Sequence, residues 1–156
     1  MTTPAILLAT VADAAEILAL QKLAYQSEAE LYGDPCIPPL AQTLSEIEDD
    51  LRTQVVLKAS IDGEIVASAR AHESDGTAYI GRVIVSPRMQ GRGLGKQIMA
   101  AIEARFPHAR RFELFTGHLS TRNLGFYRSL GYTDFKTAPL TPVIQFVYLE
   151  KQAQAR

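Results

Sequence analysis

The feature of this chain best suited to chemistry is a short run of glycine and basic residues. It reads QGRGLGK, from Gln90 to Lys96, and it follows a β-branched, strand-like run at residues 83–85. Glycine allows backbone conformations closed to other residues and lets a ligand approach the main chain closely. Where such a turn opens a helix, free N–H groups and the positive end of the helix dipole face one spot. The run is therefore typical of a site for a pyrophosphate.

The spacing of these glycines excludes two common nucleotide-binding motifs. A Walker-type loop has two glycines separated by four residues, followed by lysine and then serine or threonine. Here three residues separate Gly91 from Gly95, and Gln97 follows Lys96. A dinucleotide-binding fingerprint would need glycine at the position of Lys96. The run is thus a phosphate site of another kind.

A second segment lies downstream and reads GHLSTRNLGFYRSLGY, from Gly117 to Tyr132. It follows a strand-like run at residues 112–116. Asn123 and Tyr127 are four residues apart, so that they share one face of a helix. Gly131 stands where a helix would end in the left-handed conformation.

Together the two segments resemble the GNAT acetyltransferase superfamily. The glycine run after a Val-x-Val strand resembles the family's coenzyme A loop, and the second segment resembles the helix that follows it. The resemblance implies that main-chain N–H groups of the strand hold the acyl carbonyl, and that Tyr127 donates a proton to the leaving sulfur. The cofactor-binding residues that it implies are Val83, Ile84, Val85, Gln90, Gly91, Arg92, Gly93, Leu94, Gly95, Lys96, Asn123 and Tyr127.

The second segment departs from the family at one position. Many members carry asparagine seven residues before the tyrosine, where this chain has Ser120. Either Ser120 or Asn123 could contact the cofactor. We favour Asn123, because an amide can both donate and accept toward pantetheine, whereas serine is suited to cap the helix.

Acyl transfer to an amine needs a neutral nucleophile, a stabilised carbonyl oxygen and a protonated leaving thiolate. For the general base we select Glu73, at the end of a predicted strand. Water with backbone carbonyls could also carry the proton, and the alternative side chains are Glu113, Glu28, Glu30, His72 and His118. The catalytic residues predicted here are thus Tyr127 and Glu73.

The segment between residues 25 and 43 should supply the acceptor site, as it does in the family that the chain resembles. Its predicted substrate residues are Glu28, Glu30, Tyr32 and Asp34. Their acidic and aromatic character favours a small cationic amine. A protein or peptide amine, a longer acyl donor and a non-catalytic acyl-CoA-binding module remain alternatives.

Composition limits the remaining classes. The 156 residues are nearly half apolar and carry a net charge of −1 at pH 7. A pI of about 6.3 argues against a general nucleic-acid binder. The single cysteine excludes a disulfide framework and a thiolate metal cluster. With no signal pattern and no apolar run long enough for a membrane span, we expect a cytoplasmic protein, with a homodimer left open.

The predicted elements give a mixed α/β fold in the order β-α-α-β-β-β-α-β-α-β-β, in one domain over residues 1–156. The first strand covers residues 5–9, and one helix runs from about Asp13 toward Leu31. Asp62 and Gly63 form a two-residue hairpin turn. The last two strands cover residues 132–136 and 143–150. The resemblance adds a mostly antiparallel sheet whose middle strands splay apart.

Overall fold

The computed structural model describes residues 3–154, which form seven strands and six α-helices. The strands are β1 (Ala5–Leu8), β2 (Val55–Ile61), β3 (Glu64–Ser74), β4 (Thr77–Val85), β5 (Arg111–Gly117), β6 (Thr133–Pro139) and β7 (Gln145–Gln152). The helices are α1 (Ala14–Ala24), α2 (Gln26–Tyr32), α3 (Pro38–Ala41), α4 (Leu44–Thr53), α5 (Leu94–Ala104) and α6 (Thr121–Ser129).

All seven strands belong to one sheet with the order β1-β2-β3-β4-β5-β7-β6. Neighbouring strands are antiparallel except β4 and β5, which are parallel. These two pair over only three residue pairs, from Thr77 with Arg111 to Tyr79 with Glu113. Beyond them β4 and β5 separate, and we call the resulting opening the wedge. The predicted splay of the middle strands is thereby confirmed.

Helices cover both faces of the sheet. On one face, Ile98 and Ile102 of α5 pack with Leu114 and Leu149 in the larger apolar cluster. On the other face, α1 and α4 pack on β2, β3 and β4 through a smaller cluster made of Ala14, Ile17, Leu20, Ile47, Val56, Ile65 and Ile84. Two layers of helices around one sheet leave the wedge as the gap in the middle layer.

The predicted mixed α/β fold is confirmed, with differences inside the early helical region. The single helix expected up to Leu31 is divided, because α1 ends at Ala24 and α2 begins at Gln26. The proline cluster expected only to break helices also starts the short α3, since proline fits the first helical position. The last strands exceed their predicted ends, and β7 lies between β5 and β6.

The tight turns follow the sequence closely. Asp62 and Gly63 both have positive φ, 52° and 79°, as the two-residue hairpin between β2 and β3 requires. Gly131 has φ 97° just after α6, as predicted for a helix-ending glycine. Within residues 3–154, no helix has the length and apolar character that crossing a membrane would require.

Candidate active site

The glycine loop, residues 90–96, presents a row of unpaired backbone donors. Gly91 and Gly93 have φ of 79° and 78°, and Gly93 is the N-cap of α5. The first helical bond of α5 runs from the N–H of Gln97 to the carbonyl of Gly93. The six N–H groups from Gly91 to Lys96 donate to no acceptor in the described part of the chain. They form an anion-binding surface at the positive end of the α5 dipole.

The glycines of the loop have two different roles. A Cβ at Gly91 or Gly93 would meet no atom within 4 Å, so these positions need glycine for their φ and for the approach of a ligand. A Cβ at Gly95 would lie 3.2 Å from Cζ of Phe126. Gly95 therefore lets α6 pack closely on the start of α5, which brings the two sequence segments together.

The basic residues around the loop are not equivalent. Arg92 and Lys96 are exposed at the loop. Arg88 instead forms an ion pair with Glu64, with its Nη2 2.5 Å from Oε2. Arg122, at the start of α6, donates from Nη1 to Oε1 of Gln90 at 2.8 Å. Sequence reasoning missed Arg122, because only the packing of α6 on α5 shows that it reaches the loop.

The edge of β4 that faces the wedge begins at a β-bulge. Arg82 and Val83 together lie opposite Ala69 of β3, and Arg82 has φ 49°. The N–H of Ser86 donates to the carbonyl of Val66 on β3 at 2.8 Å. Because N–H direction alternates along a strand, the N–H of Val85 points into the wedge. The same alternation turns the N–H of Ile84 toward β3. Ile84 was one of the three predicted main-chain donors, and its N–H does not face the wedge.

Tyr127 lies on α6 with its ring buried in the larger cluster, 8% exposed. No described residue forms a hydrogen bond with its hydroxyl, and no fully buried side-chain oxygen of those residues lacks a partner. The hydroxyl therefore reaches solvent. Burial raises the pKa of Tyr127 above its ordinary value, and nearby Tyr25 and Glu28 raise this pKa further. The phenol is thus a protonated donor at neutral pH.

Glu28 of α2 ends a chain of hydrogen bonds that begins in the loop before α6. The N–H of Leu119 donates to the hydroxyl of Tyr32 at 3.0 Å. The hydroxyls of Tyr32 and Ser120 are 2.8 Å apart, and Ser120 donates to Oε2 of Glu28. Tyr32 is therefore the donor toward Ser120. This chain fixes α2 against the end of β5.

The second oxygen of Glu28 is held by the cofactor helix. Oε1 accepts from Nδ2 of Asn123 at 3.2 Å. Asn123 precedes Tyr127 by one helical turn on the same face of α6. The Glu28 carboxylate is therefore held against the face of α6 that carries Tyr127, and its charge acts on the Tyr127 hydroxyl. The side-chain oxygen Oδ1 of Asn123 has no partner in the described part of the chain and is free to accept.

Ser120 does not cap α6 as we expected. It holds the N-cap position, but its side chain makes no capping hydrogen bond. Its hydroxyl is occupied by Tyr32 and Glu28, which lie more than 80 residues away in the sequence. The expectation was wrong because such a distant partner leaves no local signal.

The four predicted substrate residues lie in α2 and the turn after it, and they separate onto two sides. Glu28 and Tyr32 face α6. Glu30 and Asp34 line an open surface pocket of about 480 Å³ on the other side, together with Lys22. Oδ1 of Asp34 accepts from the N–H of Cys36 at 2.8 Å, which is a local turn contact. The structure brings only Glu28 and Tyr32 to the wedge side.

The predicted general base lies at the other end of β4 from the bulge. Glu73 is exposed and lies opposite Ala78, where β4 and β5 are still paired. Glu113 forms an ion pair with Arg111 at 3.0 Å. His118 contacts the main chain of Gln145 through Nδ1. None of these three groups is brought together with Tyr127 as Glu28 is.

The comparison with protein families gives one decisive result. Residues 15–132 match the model of the acetyltransferase (GNAT) family, which is most of the chain. The chain belongs to the GNAT acetyltransferase family. It is accordingly an acetyl-CoA-dependent acyltransferase, as the sequence resemblance implied. A comparison with curated proteins gives no match.

Solved structures share this GNAT fold at low sequence identity. PaiA N-acetyltransferase from Thermoplasma acidophilum, in complex with coenzyme A, superposes with a TM-score of 0.81 at 13% identity, covering 97% of this chain and all of its own. The ribosomal-protein-S18-alanine N-acetyltransferase from Escherichia coli gives 0.81 at 13%, with 99% and 96% covered. yncA from Salmonella typhimurium, with acetyl-CoA, gives 0.73 at 20%, with 99% and 96% covered.

The residues present fit the cosubstrate of the GNAT family. The unpaired donors from Gly91 to Lys96 suit a pyrophosphate, and the open N–H of Val85 suits a carbonyl oxygen. When bound, acetyl-CoA supplies a thioester whose carbonyl carbon is open to attack by an amine. Among residues 3–154, no group of three or more histidine, cysteine or acidic side chains is arranged to hold a metal ion.

Proposed function

We propose that this GNAT domain, spanning residues 1–156, transfers the acetyl group of acetyl-CoA to a small primary amine by direct attack within a ternary complex. The observation that carries the proposal is the grouping of three features at the wedge. These are the open edge of β4, the Tyr127 hydroxyl and the Glu28 carboxylate. They correspond to a carbonyl site, a proton donor and a cation site.

On the cofactor side, the backbone carries most of the binding. The glycine loop receives the pyrophosphate, and Arg92, Lys96 and Arg122 add positive charge around it. The free side-chain oxygen Oδ1 of Asn123 can accept a hydrogen bond from a pantetheine amide. The N–H of Val85 polarises the acetyl carbonyl and stabilises the negative charge that develops on its oxygen.

On the amine side, Glu28 is the group suited to receive the incoming ammonium. Each of its oxygens accepts one protein donor, which leaves lone pairs for the substrate. An alkylamine with a pKa near 10.4 needs about 4.6 kcal/mol to reach its free base at pH 7. A carboxylate in contact with the ammonium can take that proton through water. We therefore replace Glu73 by Glu28 as the proposed proton acceptor.

Tyr127 serves the leaving group. Its ring packs against Phe126 and Tyr132, and its hydroxyl makes no hydrogen bond within residues 3–154, which leaves it available to the bound thioester. A buried phenol with a raised pKa remains protonated, so that it can donate to the sulfur as negative charge develops there. The proton released by the amine is available to restore the phenol after transfer.

A peptide or protein amine is the second candidate acceptor. The S18-alanine N-acetyltransferase, which acts on a protein according to its name, has the same fold at a TM-score of 0.81. The third candidate is an acyl-CoA-binding module without turnover. Tyr127 argues against this third candidate, because a module that only binds does not require a proton donor.

The experiment that tests the proposal is a panel of amines assayed for release of free coenzyme A from acetyl-CoA. The panel contains small monoamines, polyamines, amino acids and short peptides with free N-termini. We expect at least one primary amine to accelerate thiol release and to gain one acetyl group by mass spectrometry. Tight binding of acetyl-CoA without acceleration by any amine would contradict the proposal and favour the binding module.

A further inference from the structure

Two guanidinium groups and one carboxylate lie on the face of β3 and β4 that α1 and α4 cover. Arg70 forms an ion pair with Asp50 of α4. Asp50 also accepts from Nε2 of Gln42 at 2.6 Å and from Nε2 of Gln54 at 3.2 Å. The remaining cation is Arg82, so this region holds one positive charge more than the carboxylate can neutralise.

Arg82 has little to hold its charge within the fold. Its Nε donates to Oε1 of Gln42 at 3.3 Å, and that oxygen also accepts from Gln21 at 2.9 Å. Within residues 3–154, no ion pair joins Arg82 to a carboxylate, and its other neighbour is the Tyr25 hydroxyl, which is neutral. The charge of Arg82 also lowers the pKa of Glu46, but that carboxylate is exposed and accepts a hydrogen bond from the N–H of Thr43 in the cap of α4. The fold therefore gives the Arg82 guanidinium neutral hydrogen-bond partners and no paired carboxylate.

The excess charge works against the fold. Burial and the charge of Arg82 both lower the pKa of Arg70. Two guanidinium groups that repel each other in a half-buried place weaken the folded state unless a ligand supplies the missing negative charge. Arginine presents a planar fork of donors, which suits a carboxylate.

The position of Arg82 places this charge beside the acceptor site. It lies in the bulge of β4, immediately before Val83, and holds a φ of 49° that few non-glycine residues adopt. Tyr25, at the end of α1, lies between the two charged groups of this side, because both Arg82 and Glu28 act on its hydroxyl. Arg82 and Glu28 thus offer opposite charges around one phenol.

We propose that Arg82 binds a carboxylate of the acceptor, so that the acceptor is an amine that also carries a carboxylate, such as an amino acid. This inference rests on the proposed acetyl transfer and narrows its substrate class. Glu28 receives the ammonium, and Arg82 receives the carboxylate. A simple amine or a polyamine would leave the Arg82 charge without a partner.

The first part of the test measures the carboxylate site without turnover. Propionate is titrated into the protein in the presence of coenzyme A, and the side-chain Nε–H signal of Arg82 is followed by NMR. The signal is assigned by its loss in Arg82→Gln. We expect a saturable shift with propionate, none with propionamide, and none at Arg52, an exposed arginine of α4 paired with Asp49. Absence of a saturable shift at Arg82 overturns the inference.

The second part compares matched acceptors that differ only in the carboxylate. L-Phenylalanine is paired with 2-phenylethylamine, and L-lysine with cadaverine, each assayed for coenzyme A release. We expect kcat/KM to favour the carboxylated member by roughly tenfold or more, and Arg82→Gln to remove that preference. Arg52→Gln should retain it. Equal or greater activity with the decarboxylated amines overturns the inference while leaving acetyl transfer intact.

The two parts separate this inference from the proposed function. A propionate-dependent shift at Arg82 with no turnover of any amine would retain the carboxylate site and contradict acetyl transfer. A purely structural Arg82 would instead lower the melting temperature when replaced. We expect Arg82→Gln to leave the melting temperature unchanged or raised, because the substitution relieves the repulsion with Arg70.

Discussion

The glycine loop and the acceptor side of the wedge are built in opposite ways. The loop is one continuous segment, and its binding groups are backbone N–H groups. The acceptor side joins side chains from α2, β4 and α6, and its hydrogen bonds link residues 88 and 95 positions apart in the chain. A site formed by consecutive main-chain groups can therefore be predicted from a short sequence motif. A site made of distant side chains becomes visible only in the folded chain.

The two regions also differ in charge. The loop offers only positive charge and donors, as a pyrophosphate requires. The acceptor side carries both signs, with Glu28 and Arg82 around Tyr25. Substitutions in one region should therefore affect one substrate and spare the other. Tyr127, which stands between the regions, should affect turnover alone.

The largest effect is expected for Tyr127→Phe. The substitution removes the hydroxyl that we propose as the proton donor to the leaving sulfur but keeps the ring that packs in the core. We expect kcat to fall by on the order of 10²-fold or more, with little change in the Kd for acetyl-CoA. Steady-state rates and calorimetry measure the two quantities. Near-normal turnover, confirmed in pre-steady-state kinetics, would make Tyr127 a packing residue.

Tyr132→Phe is the matched control for this prediction. Tyr132 is buried beside Tyr127, and its hydroxyl donates to Oε2 of Glu103 at 2.8 Å, away from the wedge. We expect a lower melting temperature with kcat preserved.

The raised pKa of Tyr127 adds a pH test, since the protonated phenol persists at higher pH than an ordinary tyrosine. Deprotonation of the Tyr127 hydroxyl should therefore cause no fall in kcat below about pH 10, the ordinary pKa of tyrosine.

The next effect concerns the loop. Gly93→Asp places a carboxylate among the unpaired donors, where the pyrophosphate should bind. We expect the Kd for acetyl-CoA to rise by roughly ten- to hundredfold, measured by calorimetry. Gly93→Asn is the control, because asparagine tolerates positive φ and carries no charge. Similar losses in both variants would assign the effect to the backbone rather than to charge.

On the acceptor side, Glu28→Gln should raise the KM for the amine by about tenfold or more while changing the Kd for acetyl-CoA little. Glutamine can still accept from Ser120 or Asn123, so α2 should stay in place. Glu30→Gln is the control, since Glu30 lies on the opposite face of the same helix. If both variants raised the KM for the amine equally, the effect would come from the loss of surface charge and not from a contact between Glu28 and the amine.

The smallest effect is expected for Gly117→Ala. A Cβ at this position would lie 1.9 Å from the hydroxyl of Tyr32, which must move away from the N–H of Leu119. We expect a loss of about 1–2 kcal/mol in the free energy of unfolding and a KM for the amine raised a few-fold. Thermal unfolding and steady-state kinetics provide the measurements. An unchanged KM would show that the hydrogen-bond chain does not position Glu28.

The sequence predicts the local structure of the glycine loop and of α6 well because its determinants are local. The φ values of Gly91 and Gly93, the start of α5 and the end of α6 at Gly131 all follow from neighbouring residues. The selection of Glu73 rested on its place at a strand end, but the register puts that end opposite Ala78, where β4 and β5 are paired. Glu28 belonged to the predicted acidic segment, but periodicity could not tell which side of α2 would meet α6.

The unpaired charge of Arg82 and the contact of Arg122 with the glycine loop could not be predicted from the sequence, for a related reason. Arg82 matters because a bulge turns it toward Gln42, and bulges depend on the register of two paired strands. Arg122 matters because Gly95 allows α6 to approach α5. In both cases the decisive information lies in how separate elements pack.

The central claim is that the two regions hold both substrates at once across the wedge. An initial-rate study that varies acetyl-CoA at several fixed concentrations of the amine found in the panel tests it most directly. Direct attack in a ternary complex predicts double-reciprocal lines that intersect. Parallel lines would contradict the account, because they would require an acetylated enzyme formed before the amine binds.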